Sequence, residues 1–83
     1  MKPLRQKIDG IDGRILKLLA RRKSVALKIA EYKKRNRLAP VDKKREQAML
    51  KALKAHAKAL GLSTAFVNQL FRLILAESRR LQL

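Results

Sequence analysis

Apolar residues recur at intervals of three and four along the first third of the chain. They stand at Leu4, Ile8, Ile11, Ile15, Leu18, Val25, Ile29 and Tyr32. In an α-helix this spacing puts them on one face, as an apolar seam of the kind that pairs helices in coiled coils. Sustained alternation of apolar and polar residues is absent, and Ala, Leu, Lys and Arg, which dominate, favour helix. The pattern therefore predicts an all-α fold.

Proline and glycine divide the chain into its predicted elements. Pro40 is the only proline beyond position 3, and Gly61 is the only glycine beyond position 13. They separate three predicted helices, at residues 4–36, 42–59 and 63–82. Ser63 is a suitable N-cap for the third helix. The first helix would be about 50 Å long, longer than a compact chain of 83 residues needs, so we expect it to pack along a partner chain.

A basic residue interrupts the apolar seam. The seam position after Leu18 is occupied by Arg22. Arg22 is either a surface arginine whose aliphatic stem covers apolar area or an arginine directed into a pocket. In a pocket its charge would require an anion. Lys33 follows about three turns and 20° later, so it shares the face of Arg22. Arg5 precedes Arg22 by about 25 Å and lies about 100° away around the axis. Arg5 can therefore reach a pocket at Arg22 only from another chain.

Polar pairs also stand at helical spacing in the second and third predicted helices. Asp42 and Glu46 are four residues apart, Arg45 directly precedes Glu46, and Ser78 and Gln82 are again four apart. Acidic residues in a first helical turn complement the helix dipole, which alone would explain the two carboxylates. Spacing therefore leaves a solvent-facing role open for each pair.

The balance of charge is strongly basic. The chain has 22 Lys and Arg against 6 Asp and Glu, a formal net charge of +16. This charge favours an anionic partner: nucleic acid, a membrane surface or a small acidic molecule. The chain has few aromatic rings, with one Tyr, two Phe and no Trp. A protein that binds single-stranded nucleic acid needs such rings to stack on the bases.

Composition excludes several classes of site and predicts a location. The chain has no cysteine, which excludes disulfides and thiolate sites, and the single His56 cannot form a metal site alone. It has no run of about 18 apolar residues, and MKPLRQKIDG lacks the apolar core of a signal peptide. We therefore expect a cytoplasmic protein with one domain, residues 1–83, whose small core favours oligomerisation.

The segments discussed above, taken in order, resemble the all-helical class of chorismate mutase over nearly the whole chain. They are LRQKIDGID, LLARRKSVALKIAEYK, PVDKKRE and FVNQLFRLILAESRRLQ. The active-site pattern of that class is matched by Arg5, Arg22, Lys33, Asp42, Arg45, Glu46, Ser78 and Gln82. Each motif alone is weak, whereas eight matches in order are specific. One residue separates Pro40 from Asp42, where many members have two.

The resemblance implies a fold and a reaction. The fold is an intertwined homodimeric helical bundle in which the long first helices pair and Arg5 of the partner subunit reaches the pocket. The reaction is the intramolecular [3,3] rearrangement of chorismate to prephenate in aromatic amino-acid biosynthesis, without metal or other cofactor. With no covalent intermediate, catalysis would hold a reactive chair conformer and stabilise the charge that shifts as the bond breaks.

The resemblance also implies which groups contact the substrate. Arg22 and the partner's Arg5 would clamp the two carboxylates of chorismate, since arginine suits planar bidentate contacts. Lys33 and Gln82 would donate hydrogen bonds to the ether oxygen, whose negative charge grows during the reaction.

The remaining matches surround the ring of the substrate. Glu46 would accept a hydrogen bond from the ring hydroxyl near the backbone of Asp42, and it is counted with Arg22, Lys33 and Gln82 as catalytic. Ser78 and Arg45 would orient the groups around them.

Two alternative functions remain open. An isochorismate-pyruvate lyase shares this fold and cationic pocket, but Glu46, placed for a hydroxyl on the chorismate ring, favours the mutase. A basic helical nucleic-acid-binding protein would explain the charge of +16 but not Arg22 and Lys33 on one face or Gln82 at the far end. DNA binding that weakens steeply with salt would support it.

Overall fold

The computed structural model describes residues 1–82. In this range three α-helices follow one another, α1 (Lys2–Arg35), α2 (Lys43–Ala59) and α3 (Thr64–Gln82), and there is no strand. The predicted all-α chain with a long first helix is confirmed. The molecule measures 52 × 24 × 16 Å, so its long dimension is set by the 34 residues of α1 at about 1.5 Å per residue. None of the helices in residues 1–82 is long and apolar enough to cross a lipid bilayer.

The ends of α1 differ from the predicted ends by one or two residues. The helix begins two residues earlier than predicted, because Pro3 in the first turn needs no hydrogen bond from its nitrogen. It ends at Arg35, and the chain reverses through Arg37, whose φ is 53°. The N–H of Leu38 donates to the carbonyl oxygen of Lys33 at 2.8 Å, which closes the helix end.

The starts of α2 and α3 carry side-chain caps. The carboxylate of Asp42 accepts a hydrogen bond from the N–H of Arg45 at 3.0 Å, so α2 begins one residue later than predicted. The hydroxyl of Ser63 accepts from the N–H of Phe66 at 3.2 Å, as expected of an N-cap. Between these helices Gly61 has a φ of 74°, a left-handed conformation that glycine adopts without a steric cost.

Helix α3 packs against both α1 and α2, and the core between them is small. Its buried apolar residues are Ala26 of α1, Ala57 of α2, and Val67 and Leu75 of α3. None of the large side chains in residues 1–82 is fully buried. A core of this size supplies little of the hydrophobic stabilisation that a folded chain requires.

The apolar seam of α1 is not covered by the chain's own helices. Its eight apolar side chains, from Leu4 to Tyr32, are between 45% and 58% exposed. On α3, Phe66 and Leu73 are exposed to 58% and 72%. Contiguous apolar area of this kind is typical of surfaces that pack against another molecule.

Candidate active site

A cavity of about 470 Å³ lies where the C-terminal half of α1, the start of α2 and the end of α3 meet. Its volume is within the range of roughly 300–1,000 Å³ found for small-molecule sites. Seven of the eight residues predicted for the site line it: Arg22, Lys33, Asp42, Arg45, Glu46, Ser78 and Gln82. These residues come from three separate segments of the chain, and the fold brings them together.

Arg22 leaves the seam of α1 toward α3 and lines the cavity. It is half-buried, and its Nη1 donates a hydrogen bond to the hydroxyl oxygen of Ser78. This bond joins the two helices and limits the rotamers that the guanidinium can adopt. Of the two interpretations of Arg22, the geometry agrees with an arginine directed into a pocket.

Lys33 lines the same cavity as Arg22, as the helical spacing predicted. Its ammonium donates to the carbonyl oxygen of Pro40 at 3.1 Å, which ties the last turn of α1 to the loop before α2. An ammonium group has three donors, so this contact leaves two for a ligand.

Asp42 lines the cavity although only Val41 separates it from Pro40. Its carboxylate caps α2 by accepting from the N–H of Arg45. The cap explains the acidic residue at this position by helix formation, and it also fixes the backbone of Asp42 at the edge of the cavity.

Glu46 is paired with an arginine that the sequence interpretation missed. Nη1 of Arg79 donates to Oε1 of Glu46 at 3.1 Å, and the side chains of Arg79 and Glu46 are 42% and 19% exposed. Arg79 lines the cavity with Gln82, three residues later on the same face of α3. The signal was available, because Gln82 was predicted for the site and a spacing of three residues puts Arg79, but not Arg80, on the face of Gln82.

Arg80 points away from this cavity. Its Nε donates to Oε1 of Glu77 at 3.0 Å, and both side chains are mainly exposed. The hydrogen bond from Arg80 holds the pKa of Glu77 below its ordinary value, and the same bond raises the pKa of Arg80.

Arg5 does not line the cavity of its own chain. It lies on α1 about 25 Å along the axis from Arg22, in the exposed first turns of the helix. The structure therefore leaves the eighth predicted residue outside the group that the other seven form.

A second groove adjoins the cavity between α1 and α3. It has a volume of about 380 Å³ and is lined mainly by apolar side chains, including Leu19, Leu73 and Leu81. Arg22 and Ser78 line both the groove and the cavity. A side chain that entered the groove would therefore lie beside the guanidinium of Arg22.

The charges around the cavity favour a small anion. Four cationic side chains line it, Arg22, Lys33, Arg45 and Arg79, against the two carboxylates of Asp42 and Glu46. The difference, four minus two, is a formal charge of +2. With neither His nor Cys among its lining residues, this part of the chain offers anion binding and hydrogen bonding.

The chain is similar to known proteins over most of its length. The family described as chorismate mutase type II matches residues 4–83. A bifunctional chorismate mutase/prephenate dehydratase of Buchnera aphidicola subsp. Acyrthosiphon pisum is 43% identical over 74 residues, 89% of this chain and 19% of that protein. The protein of the same name from Escherichia coli strain K12 is 33% identical over 75 residues, 90% of this chain and 19% of that protein.

A third relative has a different name. The T-protein of Enterobacter agglomerans is 33% identical over 75 residues, 90% of this chain and 20% of its own length. The chain thus spans about a fifth of the length of the curated relatives it matches.

Proposed function

The chain belongs to the type II chorismate mutase family, and from that premise we propose that residues 1–83 form one domain that converts chorismate to prephenate in the cavity described above. The observation that carries the proposal is the convergence of seven residues from three segments on a cavity of formal charge +2. Chorismate is a dianion, so the charge and the volume of the cavity suit it.

The carboxylates of chorismate are bound by arginine in this proposal. Arg22 binds one of them with the guanidinium nitrogens that its bond to Ser78 leaves free. Because that bond holds Arg22 in place before the substrate arrives, less conformational entropy is lost on binding. The second carboxylate is bound by Arg5 of the partner subunit.

The reaction needs groups that stabilise charge on the ether oxygen as its bond to the ring lengthens. Lys33 and Gln82 supply these donors, since both line the cavity and an amide and an ammonium can each donate. Groups held in place before the reaction stabilise this charge without reorganising, which is the main way in which such a site lowers a barrier. Glu46 accepts from the ring hydroxyl and so selects the reactive conformer.

A homodimer completes the site in this proposal. The exposed seam of α1 and the apolar groove beside Arg22 both require cover. We infer that the first turns of the partner's α1, with Leu4 and Ile8, pack at the groove. Arg5 lies between these two residues in the chain, so this packing brings the partner's Arg5 to the cavity.

The dimer is expected to depend on the seam. Ile15→Gln should weaken self-association roughly 10- to 100-fold, because Ile15 is 50% exposed in the single chain and covering it contributes about 0.7 to 1.4 kcal/mol in each of the two chains. Sedimentation equilibrium measures the dissociation constant. Lys17→Gln, on the opposite side of α1, is the control and should leave it unchanged. A monomeric wild type, or equal effects of the two variants, would contradict this use of the seam.

The activity is tested by following the absorbance of chorismate after adding the purified chain and identifying the products by chromatography. Prephenate as the product supports the proposal. Consumption of isochorismate with release of pyruvate, and no turnover of chorismate, would instead identify the lyase. A folded chain that consumes neither compound and binds DNA in a salt-dependent manner would identify the nucleic-acid-binding alternative.

The activity is expected to show no sharp loss between about pH 6 and 8, because Gln82 donates through a neutral amide that does not titrate in this range. The rate of chorismate loss at saturating substrate measures this. Gln82→Glu is the informative comparison, since a carboxyl group donates only when protonated, and its activity should fall as the pH rises. A steep loss in the wild type inside this window would contradict the role of Gln82.

We also propose a cytoplasmic location for the chain. A cytoplasmic location agrees with the absence of cysteine. The prephenate dehydratase activity in the relatives' names belongs to proteins about five times as long as this chain.

A further inference from the structure

We propose that Arg79 is a positioning residue that acts through Glu46. Arg79 binds one oxygen of the Glu46 carboxylate and leaves the other for a hydroxyl of the substrate, while its charge offsets that of Glu46. This inference rests on the proposed function, and Arg79 is not among the eight residues of the active-site pattern described above.

The hydrogen bond between Arg79 and Glu46 uses only one of the two carboxylate oxygens of Glu46. Nη1 of Arg79 donates to Oε1 at 3.1 Å, and within residues 1–82 Oε2 accepts no side-chain hydrogen bond. Glu46 is on α2 and Arg79 is on α3, so the pair also fixes the carboxylate relative to the helix that carries Ser78 and Gln82. A carboxylate held at one oxygen has fewer rotamers, and Oε2 is oriented before the substrate binds.

Charge gives a second reason for Arg79. Glu46 is only 19% exposed, so water screens its negative charge poorly, and a dianionic substrate in the same cavity would be repelled. Without Arg79 the cations lining the cavity number three against two carboxylates, which lowers the formal charge from +2 to +1.

A role in folding stability alone explains the Arg79–Glu46 ion pair less well than a role in positioning Glu46. The side chain of Arg79 is 42% exposed, so solvent screens part of what the pair contributes to folding stability. Arg80 offers a matched comparison, since it follows Arg79 directly and pairs with Glu77 outside the cavity. Replacing either arginine removes one positive charge and one ion pair from the last turns of α3.

The test compares Arg79→Met with Arg80→Met by kcat/KM for chorismate. Arg79→Met should lower kcat/KM about tenfold, as expected of a misplaced rather than a missing group. Arg80→Met should stay within about twofold of the wild type, since exposed pairs have little effect. Both variants should remain folded at the assay temperature in a thermal unfolding measurement, and Arg79→Lys should restore part of the activity because it retains the cation.

A double variant shows whether Arg79 acts through Glu46. In a Glu46→Gln background, Arg79→Met should lower kcat/KM by less than about twofold, because the charge that it offsets is already gone. An undiminished tenfold loss in that background would mean that Arg79 contacts the substrate directly, and the proposal would be wrong. Equal kcat/KM for Arg79→Met and Arg80→Met would also overturn it. If neither the wild type nor Arg80→Met consumes chorismate, the proposed function fails and this inference fails with it.

Discussion

Replacing Arg22 by alanine is expected to lower the turnover of chorismate by at least about 100-fold, the effect of removing a preorganised charged donor from an active site. Arg22 is half-buried, lines the cavity and is held by Ser78. In the Arg22→Ala variant, one carboxylate of the substrate would lie in the cavity without a cation to bind it. A buried charge that loses its partner is strongly destabilised, and the loss falls on the bound substrate.

The fold and the dimer are expected to survive this substitution. The side chain of Arg22 is only half-buried, and the hydroxyl of Ser78 can bind water in its place. Circular dichroism and sedimentation check this, and turnover is measured from the absorbance of chorismate. Arg21→Ala is the control, because it removes the same charge from a neighbouring, exposed position. A fully active Arg22→Ala variant would refute the assignment of the cavity.

Mixing two inactive variants is expected to restore activity if Arg5 acts from the partner subunit. Arg5→Ala and Arg22→Ala should each be nearly inactive alone. When they are unfolded together and refolded, about half of the dimers formed at random contain one chain of each kind, and one of the two cavities in such a dimer has both arginines. The mixture should therefore reach about one quarter of wild-type activity.

The control for this experiment pairs two variants of the same cavity. Arg22 and Lys33 line one cavity from one chain, so a mixture of Arg22→Ala and Lys33→Ala leaves every cavity incomplete and should remain inactive. Mixed dimers of the Arg5 and Arg22 variants, detected by native mass spectrometry but without activity, would show that Arg5 is not supplied in trans. Active Arg5→Ala alone would show that the reaction does not need it.

Much of the fold could be predicted from local features. The three helices follow from spacing and from Pro40 and Gly61, and the ends of the helices were within two residues of the predicted ones. The errors arose at caps. Asp42 and Ser63 stand just outside their helices because their side chains accept hydrogen bonds from the first turn, and Pro3 was compatible with an earlier start of α1.

Part of the candidate site could also be predicted from local features, namely the geometry of a single helix. That Arg22 and Lys33 share a face, and that Arg5 cannot join them within one chain, required only the rise and rotation of a helix. The convergence of α2 and α3 on that face entered as an implication of the family resemblance, since spacing within each helix left solvent-facing roles open. The pairing of Glu46 with Arg79 was missed.

Local hydrogen bonding repeats regularly along a helix, so residue spacing in the sequence was enough to establish the helices, the apolar seam and the position of Arg22 within it. The packing of α3 against α1 and α2 decided that Arg79 pairs with Glu46 and that Ser78 contacts Arg22. These contacts join residues on different elements, and their geometry depends on how Ala26, Val67 and Leu75 pack. Residue spacing within one helix does not determine that packing, because the packing depends on the positions of all three helices relative to one another.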